Sequence, residues 1–138
     1  MKLTTFLQIA GALHLGLVWA GATVPGAVNM RAHLAALPAL VRRLFWVYFT
    51  FIGLTLLGFG LITFFFAPAL ADGAPLARAL CGFLAAFWTL RLIIAAFVFD
   101  VRPYLTTSYY RLGYHATTSV FIYLSAVYLW AAFQRAEL

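Results

Sequence analysis

The sequence is poor in charge, and above all in acidic residues. Only 9% of its residues are charged, and the three acids are Asp72, Asp100 and Glu137. Soluble domains carry about a quarter charged residues, so this chain could not cover a surface that faces water. Hydrophobic residues make up 66% of the sequence. These proportions exclude an ordinary soluble domain and predict an integral membrane protein.

Cysteine is nearly absent, since Cys81 is the only one. A single cysteine excludes an intrachain disulfide and every zinc or redox motif that needs a cysteine pair. The sequence also lacks the HExxH, P-loop and GxSxG patterns of metalloproteases, nucleotide-binding proteins and many hydrolases. We therefore predict no metal site and no catalytic residues, and we favour a function other than catalysis.

Four apolar stretches are each long enough to cross the roughly 30 Å hydrocarbon core of a bilayer. The predicted spans cover residues 3–24, 40–66, 76–99 and 112–133. A proline lies shortly after each of the first three spans, where it disfavours further helix. The predicted fold is an all-α, integral membrane four-helix bundle that forms a single domain over residues 1–138.

The first span shares features with a signal peptide, because Lys2 precedes it and residues 20–22 (AGA) resemble a cleavage site. Its apolar run is longer than the usual limit of about 15 residues. It also contains Gln8 and His14, so we expect it to be retained as a helix.

The loop between the first and second spans contains apolar residues at helical spacing, namely Met30, Leu34, Leu37 and Val41. This pattern predicts a short helix that lies in the membrane interface. A helical loop that merely joins the two spans is the alternative.

Small residues recur at helical spacing in three spans, and such faces let helices approach closely. They are Ala12, Gly16 and Ala20 in the first span, Gly53 and Gly60 in the second, and Cys81, Ala85 and Thr89 in the third. We expect these faces, and not charges, to hold the helices together. On this basis Gly16→Leu and Gly53→Leu should both destabilise the protein.

The net charge of +6 comes from basic residues that flank the predicted spans. Such residues meet anionic lipid headgroups, and without a continuous basic patch no nucleic acid partner is expected. The first and third loops carry Arg31, Arg42, Arg43, Arg102 and Arg111, against Lys2, Arg78 and Arg135 on the opposite side. This bias predicts that both loops lie inside the cell and both termini outside.

Arg91 lies well inside the third span, about 14 Å from the end that Asp100 marks, at a rise of about 1.5 Å per residue. Water is scarce at that depth, so a guanidinium there needs a partner, a wet cavity or a route to the surface. Polar side chains fall near this level in the other spans: His14, Thr55, Ser119 and, one turn further, Tyr123. We predict that these residues and Arg91 bind a ligand near mid-membrane.

No acid neutralises Arg91 at this depth, because all three acids fall at segment ends. Its guanidinium could bind backbone carbonyls, water, or a phosphate, carboxylate or quinone oxygen of a bound molecule. Structural interpretations stay open for the other members. Thr55 and Ser119 can bond to the backbone of their own helices, and His14 can be a packed, neutral histidine.

The favoured function is a small non-catalytic membrane subunit, or a bundle that binds a lipid-like or quinone-like ligand in the polar layer. Its expected partners are the lipid bilayer, other membrane subunits or further copies of itself, in a bacterial inner membrane. One alternative is a redox subunit with b-type haem or quinone, in which His14 and His115 are the candidate haem ligands, although their depths differ by roughly 9 Å. A second alternative is an oligomeric anion channel or transporter component that uses Arg91.

Overall fold

The computed structural model describes residues 2–135, and every regular element in that range is helical. The four long helices are α1 (Leu3–Ala27), α3 (Ala39–Phe65), α5 (Pro75–Phe97) and α6 (Ser108–Phe133). The short helices are α2 (Met30–Ala35) and α4 (Ala67–Ala71), and a 3-10 turn covers Arg102–Tyr104. Each long helix has the length and hydropathy needed to cross a membrane. The all-α prediction is confirmed, and these helices indicate a multi-pass membrane protein. The expected position of Glu137 at a segment end lies outside the described residues.

Two helix ends differ from the predicted spans by three residues or more, for local reasons. Helix α1 continues through Pro25 to Ala27, because a proline in the last turn removes only one intrahelical hydrogen bond. Helix α6 begins at Ser108, earlier than the predicted residue 112. Thr107 caps this helix, since its hydroxyl accepts a hydrogen bond from the Tyr110 amide at 3.4 Å.

The short helices fill the two connections that flank α3. Helix α2 confirms the predicted helix in the first loop, and Leu34 is its buried residue; its position in the membrane interface stays a prediction. Helix α4 was not predicted, because its sequence contains a proline and precedes turn-forming residues. Ala67 and Leu70 of α4 are buried, and α4 packs against α1. This contact supplies the apolar burial that stabilises so short a helix.

The long helices surround a common core. Helix α1 packs along α3 and α5 packs along α6, while α1 also contacts α6. Phe59 of α3 reaches Phe83 and Phe87 of α5, with ring centroids 6.0 and 5.6 Å apart. The order of neighbours around the core is therefore α1, α3, α5 and α6, which leaves α1 opposite α5 and α3 opposite α6.

Burial in the long helices is confined to one half of the molecule, which we call the closed half. Its limits are Leu17 in α1, Gly60 in α3, Trp88 in α5 and Phe121 in α6. Beyond those limits, toward the α1–α3 and α5–α6 connections, no described residue of a long helix is buried. We call this remainder the open half.

The predicted small-residue contacts are only partly correct. Gly60, Cys81 and Ala85 are buried as expected. Gly16 and Gly53 have open space where a Cβ would lie, so the expectation that they are helix contacts is wrong. The reason is that α1 buries its other face, which carries Leu3, Leu7, Ala10, Gly11, His14 and Leu17. Gly11, not Gly16, is the glycine that approaches α3.

Four spans require both ends of the chain to lie on the same side of the membrane. Lys2→Cys and Arg135→Cys, each made in a Cys81→Ser background, should be labelled by an impermeant maleimide from the same side. Arg43→Cys is the control and should be labelled from the other side, because it lies in the first turns of α3, next to the connection between α1 and α3. Labelling of the two end positions from opposite sides would show an odd number of spans.

Candidate functional site

Two members of the predicted polar layer bond within their own helices. The Thr55 hydroxyl donates to the Phe51 carbonyl at 2.8 Å, and the Ser119 hydroxyl donates to the His115 carbonyl at 2.9 Å. Both side chains are exposed. These bonds are the ordinary way for a hydroxyl in an apolar helix to satisfy its donor. The hydroxyls of Thr55 and Ser119 thus bond to the backbone of their own helices, which is the structural alternative to ligand binding.

Tyr123 links two helices. Its half-buried hydroxyl donates to the Phe6 carbonyl of α1 at 3.0 Å. The Phe6 ring in turn packs against Trp130 of α6, with centroids 5.6 Å apart. Tyr123 therefore holds α6 to α1 near the N-terminal end of α1.

His14 is fully buried, and both of its ring nitrogens are bonded within the protein. The indole N–H of Trp88 donates to His14 Nε2 at 3.1 Å, which makes Nε2 an acceptor. His14 Nδ1 then carries the proton and donates to the Ala10 carbonyl at 2.8 Å. The histidine is neutral, has no free ring nitrogen for a ligand, and joins α1 to α5 across the core.

A second hydrogen bond crosses the core in the other direction. Thr63 of α3 and Tyr128 of α6 lie with their hydroxyl oxygens 2.7 Å apart. The Tyr128 and Trp88 rings pack edge-on against His14, with centroids 6.0 and 5.1 Å from it. These four buried residues form one unit, which we call the core cluster. It ties together both pairs of opposite helices.

The structure does not bring the two histidines considered as haem ligands into a facing pair. His115 is exposed and lies thirteen residues before Tyr128, the α6 residue that contacts His14. That separation is about 20 Å along the helix. Within residues 2–135, no group of three or more His, Cys, Asp or Glu side chains is placed to hold a metal ion.

Arg91 lies at the boundary between the closed and open halves. It follows Trp88 by three residues, so it sits about 60° from the core-facing direction of α5, on the inner flank of the helix. Its guanidinium carbon is 5.6 Å from the ring centroids of both Phe99 and Phe121. The Phe121 ring also packs on Trp88, with centroids 5.4 Å apart. Phe121 therefore lies between the Arg91 cation and Trp88 of the core cluster.

No acidic residue or hydrogen-bond acceptor within residues 2–135 pairs with Arg91. Within the same residues, Arg102 and Asp100 form an ion pair, with Arg102 Nε 3.9 Å from Asp100 Oδ1. Two aromatic faces attract the cation, but they leave its N–H donors unbonded. Arg91 is therefore an exposed guanidinium without a hydrogen-bond partner in the described part of the chain, on a helix that is long and apolar enough to cross a membrane.

The sequence singles out Arg91 and His14 but not Thr63, Trp88 or Tyr128. The available signal was that Trp88 and Tyr128 lie inside predicted spans, away from the interfaces where such residues concentrate. A tryptophan or tyrosine in an apolar interior usually needs a partner for its polar end. No known protein family, curated protein or solved structure matches the chain.

Proposed function

We propose that the four long helices form a transmembrane four-helix bundle that binds the head group of a lipid-like molecule at Arg91. The observation that carries this proposal is the unbonded guanidinium. A guanidinium has five N–H donors in a fixed fork, and in hydrocarbon their lack of an acceptor is costly. A phosphate, a carboxylate or a quinone oxygen would supply an acceptor of suitable geometry.

The open half supports a ligand with an apolar tail. Beyond Trp88 and Phe121 no described residue of the long helices is buried, so an apolar tail against these helices would not displace a buried side chain. The rings of Phe99 and Phe121 cover two sides of the cation. By excluding water there, they would strengthen a hydrogen bond between the guanidinium and a head group.

The core cluster has a positioning role in this proposal. The Trp88 ring is held by His14 and packs on Phe121, and Phe121 in turn contacts the Arg91 guanidinium. His14 itself would not touch the ligand. The aromatic side chains around Arg91 offer neither an acid nor a nucleophile, which favours binding without chemistry.

The short connections between the long helices leave little protein outside a membrane. Partners would therefore be other membrane subunits or further copies of the chain, contacting the outer faces of the helices. We propose a bacterial inner membrane as the location of the bundle.

Arg91→Lys should weaken ligand binding about tenfold, because lysine lacks the planar fork that bonds two oxygens at once. Arg91→Leu should abolish binding at Arg91, seen as the loss of one bound probe molecule, without lowering thermal stability, since it removes an unneutralised cation from an apolar site. The measurement is native mass spectrometry of protein released from nanodiscs that contain phosphatidylglycerol, palmitate or ubiquinone. These probes present a phosphate, a carboxylate and a quinone oxygen, respectively.

Arg43→Leu is the matched control, because it removes one exposed arginine that lies outside this site. It should leave retention of the probe unchanged. Equal retention by Arg91→Leu and the unmodified protein, for all three probes, would contradict the proposed function. A clear loss of thermal stability in Arg91→Leu without added ligand would instead show that the cation holds the helices together.

A further inference from the structure

A second cationic feature lies at the connection between α1 and α3, apart from Arg91. Two helix faces form a groove there: Arg31 and Ala35 of α2 line one wall, and Arg42 and Trp46 of α3 line the other. The two residues of each pair are four positions apart, so they lie on one face of their helix. Each wall therefore contributes one guanidinium to the same groove.

The groove walls are held in place by contacts within the protein. The Arg42 Nη1 donates to the Ala35 carbonyl at 3.4 Å, which fastens the end of α2 to α3. Leu34, next to Ala35, is buried and anchors α2. The Trp46 ring packs edge-on against Phe45 and Phe49, with centroids 5.5 and 5.9 Å away. Because these contacts already order the groove, binding of a ligand there costs little conformational entropy.

The charge of the groove is not neutralised by any acid within residues 2–135. Asp100 pairs with Arg102 in the connection between α5 and α6, and Asp72 lies after α4, at the opposite end of α3. The two guanidiniums repel each other across the groove, and the positive end of the α3 dipole points the same way. A bound anion would relieve both effects.

Phosphate is the anion that this groove fits best, because two planar forks can bond its oxygens from two sides. Arginine beside tryptophan at the end of an apolar helix is typical of lipid-headgroup level. Beyond the groove, α3 exposes Val47 and Phe51, along which an acyl chain could lie. We propose that Arg31 and Arg42 bind the phosphate of an anionic phospholipid at the membrane surface.

The test is titration of the full-length protein in neutral detergent with phosphatidylglycerol, followed by native mass spectrometry. It uses an Arg91→Leu background, so that phosphate binding at Arg91 cannot mask the result. Arg31→Gln and Arg42→Gln should each weaken binding of one phosphatidylglycerol about tenfold, which corresponds to loss of a charged hydrogen-bonding group. Arg43→Gln is the control and should change affinity less than twofold, because Arg43 does not line the groove.

Equal weakening by all three variants would overturn the assignment, since general surface charge would then explain binding. No weakening by Arg31→Gln and Arg42→Gln would overturn it too. Arg31→Gln keeps the test valid if Arg42→Gln loosens α2, because Arg42 is the arginine that bonds Ala35. Binding of phosphatidylglycerol that survives equimolar inorganic phosphate supports a lipid ligand, whereas displacement by inorganic phosphate would identify free phosphate and overturn the lipid assignment.

Discussion

Gly11→Ala is expected to lower the free energy of unfolding by about 2–3 kcal/mol, and Gly60→Ala by a similar amount, because both overpack a tight helix contact. A Cβ at Gly11 would lie 2.6 Å from the Phe64 backbone nitrogen and 2.8 Å from the Gly60 carbonyl oxygen. A Cβ at Gly60 would lie 2.7 Å from the His14 Cβ. These neighbours are backbone atoms or the base of a buried side chain, so relief requires α1 and α3 to move apart.

Gly16→Ala and Gly53→Ala are the matched controls on the same two helices. Neither new Cβ would meet any atom within 4 Å. Because alanine favours helix over glycine by about 1 kcal/mol, these variants should be neutral or slightly stabilised. Thermal unfolding in detergent compares the four proteins directly. If all four variants melt alike, α1 and α3 do not make the close contact at Gly11 and Gly60.

The contrast between these glycines shows which part of the fold could be predicted from the sequence. The long helices could be predicted, because only an apolar run of sufficient length can cross a bilayer. The buried face of each helix could not. The regular stripe of small residues in α1 runs through Ala12, Gly16 and Ala20, whereas Gly11 has leucines four positions before and after it. The spacing therefore favours the Gly16 face, but the fit to α3 buries the Gly11 face.

The same limit applies to the candidate site. That Arg91 would lack an acidic partner could be predicted, since the few acids fall at segment ends. Residue number gives the depth of a side chain along a span, but it does not give the rotation of the helix about its axis. Thr55 and Ser119 lie near the expected depth yet are exposed on their helices. The His14–Trp88 pair depends on the rotation of two opposite helices, so sequence spacing alone does not reveal it.

Trp88→Ala should destabilise the protein by about 3–5 kcal/mol, the usual cost of deleting a large buried aromatic side chain. Trp88 is 1% exposed and contacts residues of α1 and α6. Trp88→Phe is the sharper test, because it keeps an aromatic ring but removes the indole N–H. The His14 Nε2 then loses its donor inside the core, at an expected cost of about 1–3 kcal/mol. Trp130→Phe is the control, since Trp130 is 48% exposed and should be replaced with little effect.

A double-mutant cycle separates the Trp88–His14 hydrogen bond from the packing of the two rings. His14→Leu alone leaves the indole N–H without an acceptor, whereas His14→Leu with Trp88→Phe removes both polar groups. The double variant should therefore be more stable than the sum of the single effects predicts, by about 1 kcal/mol, as for other hydrogen bonds between membrane helices. Additive effects in thermal unfolding would mean that the bond does not join α1 to α5. Since Trp88 packs on Phe121, loosening it should also weaken probe binding at Arg91, but less than Arg91→Lys does.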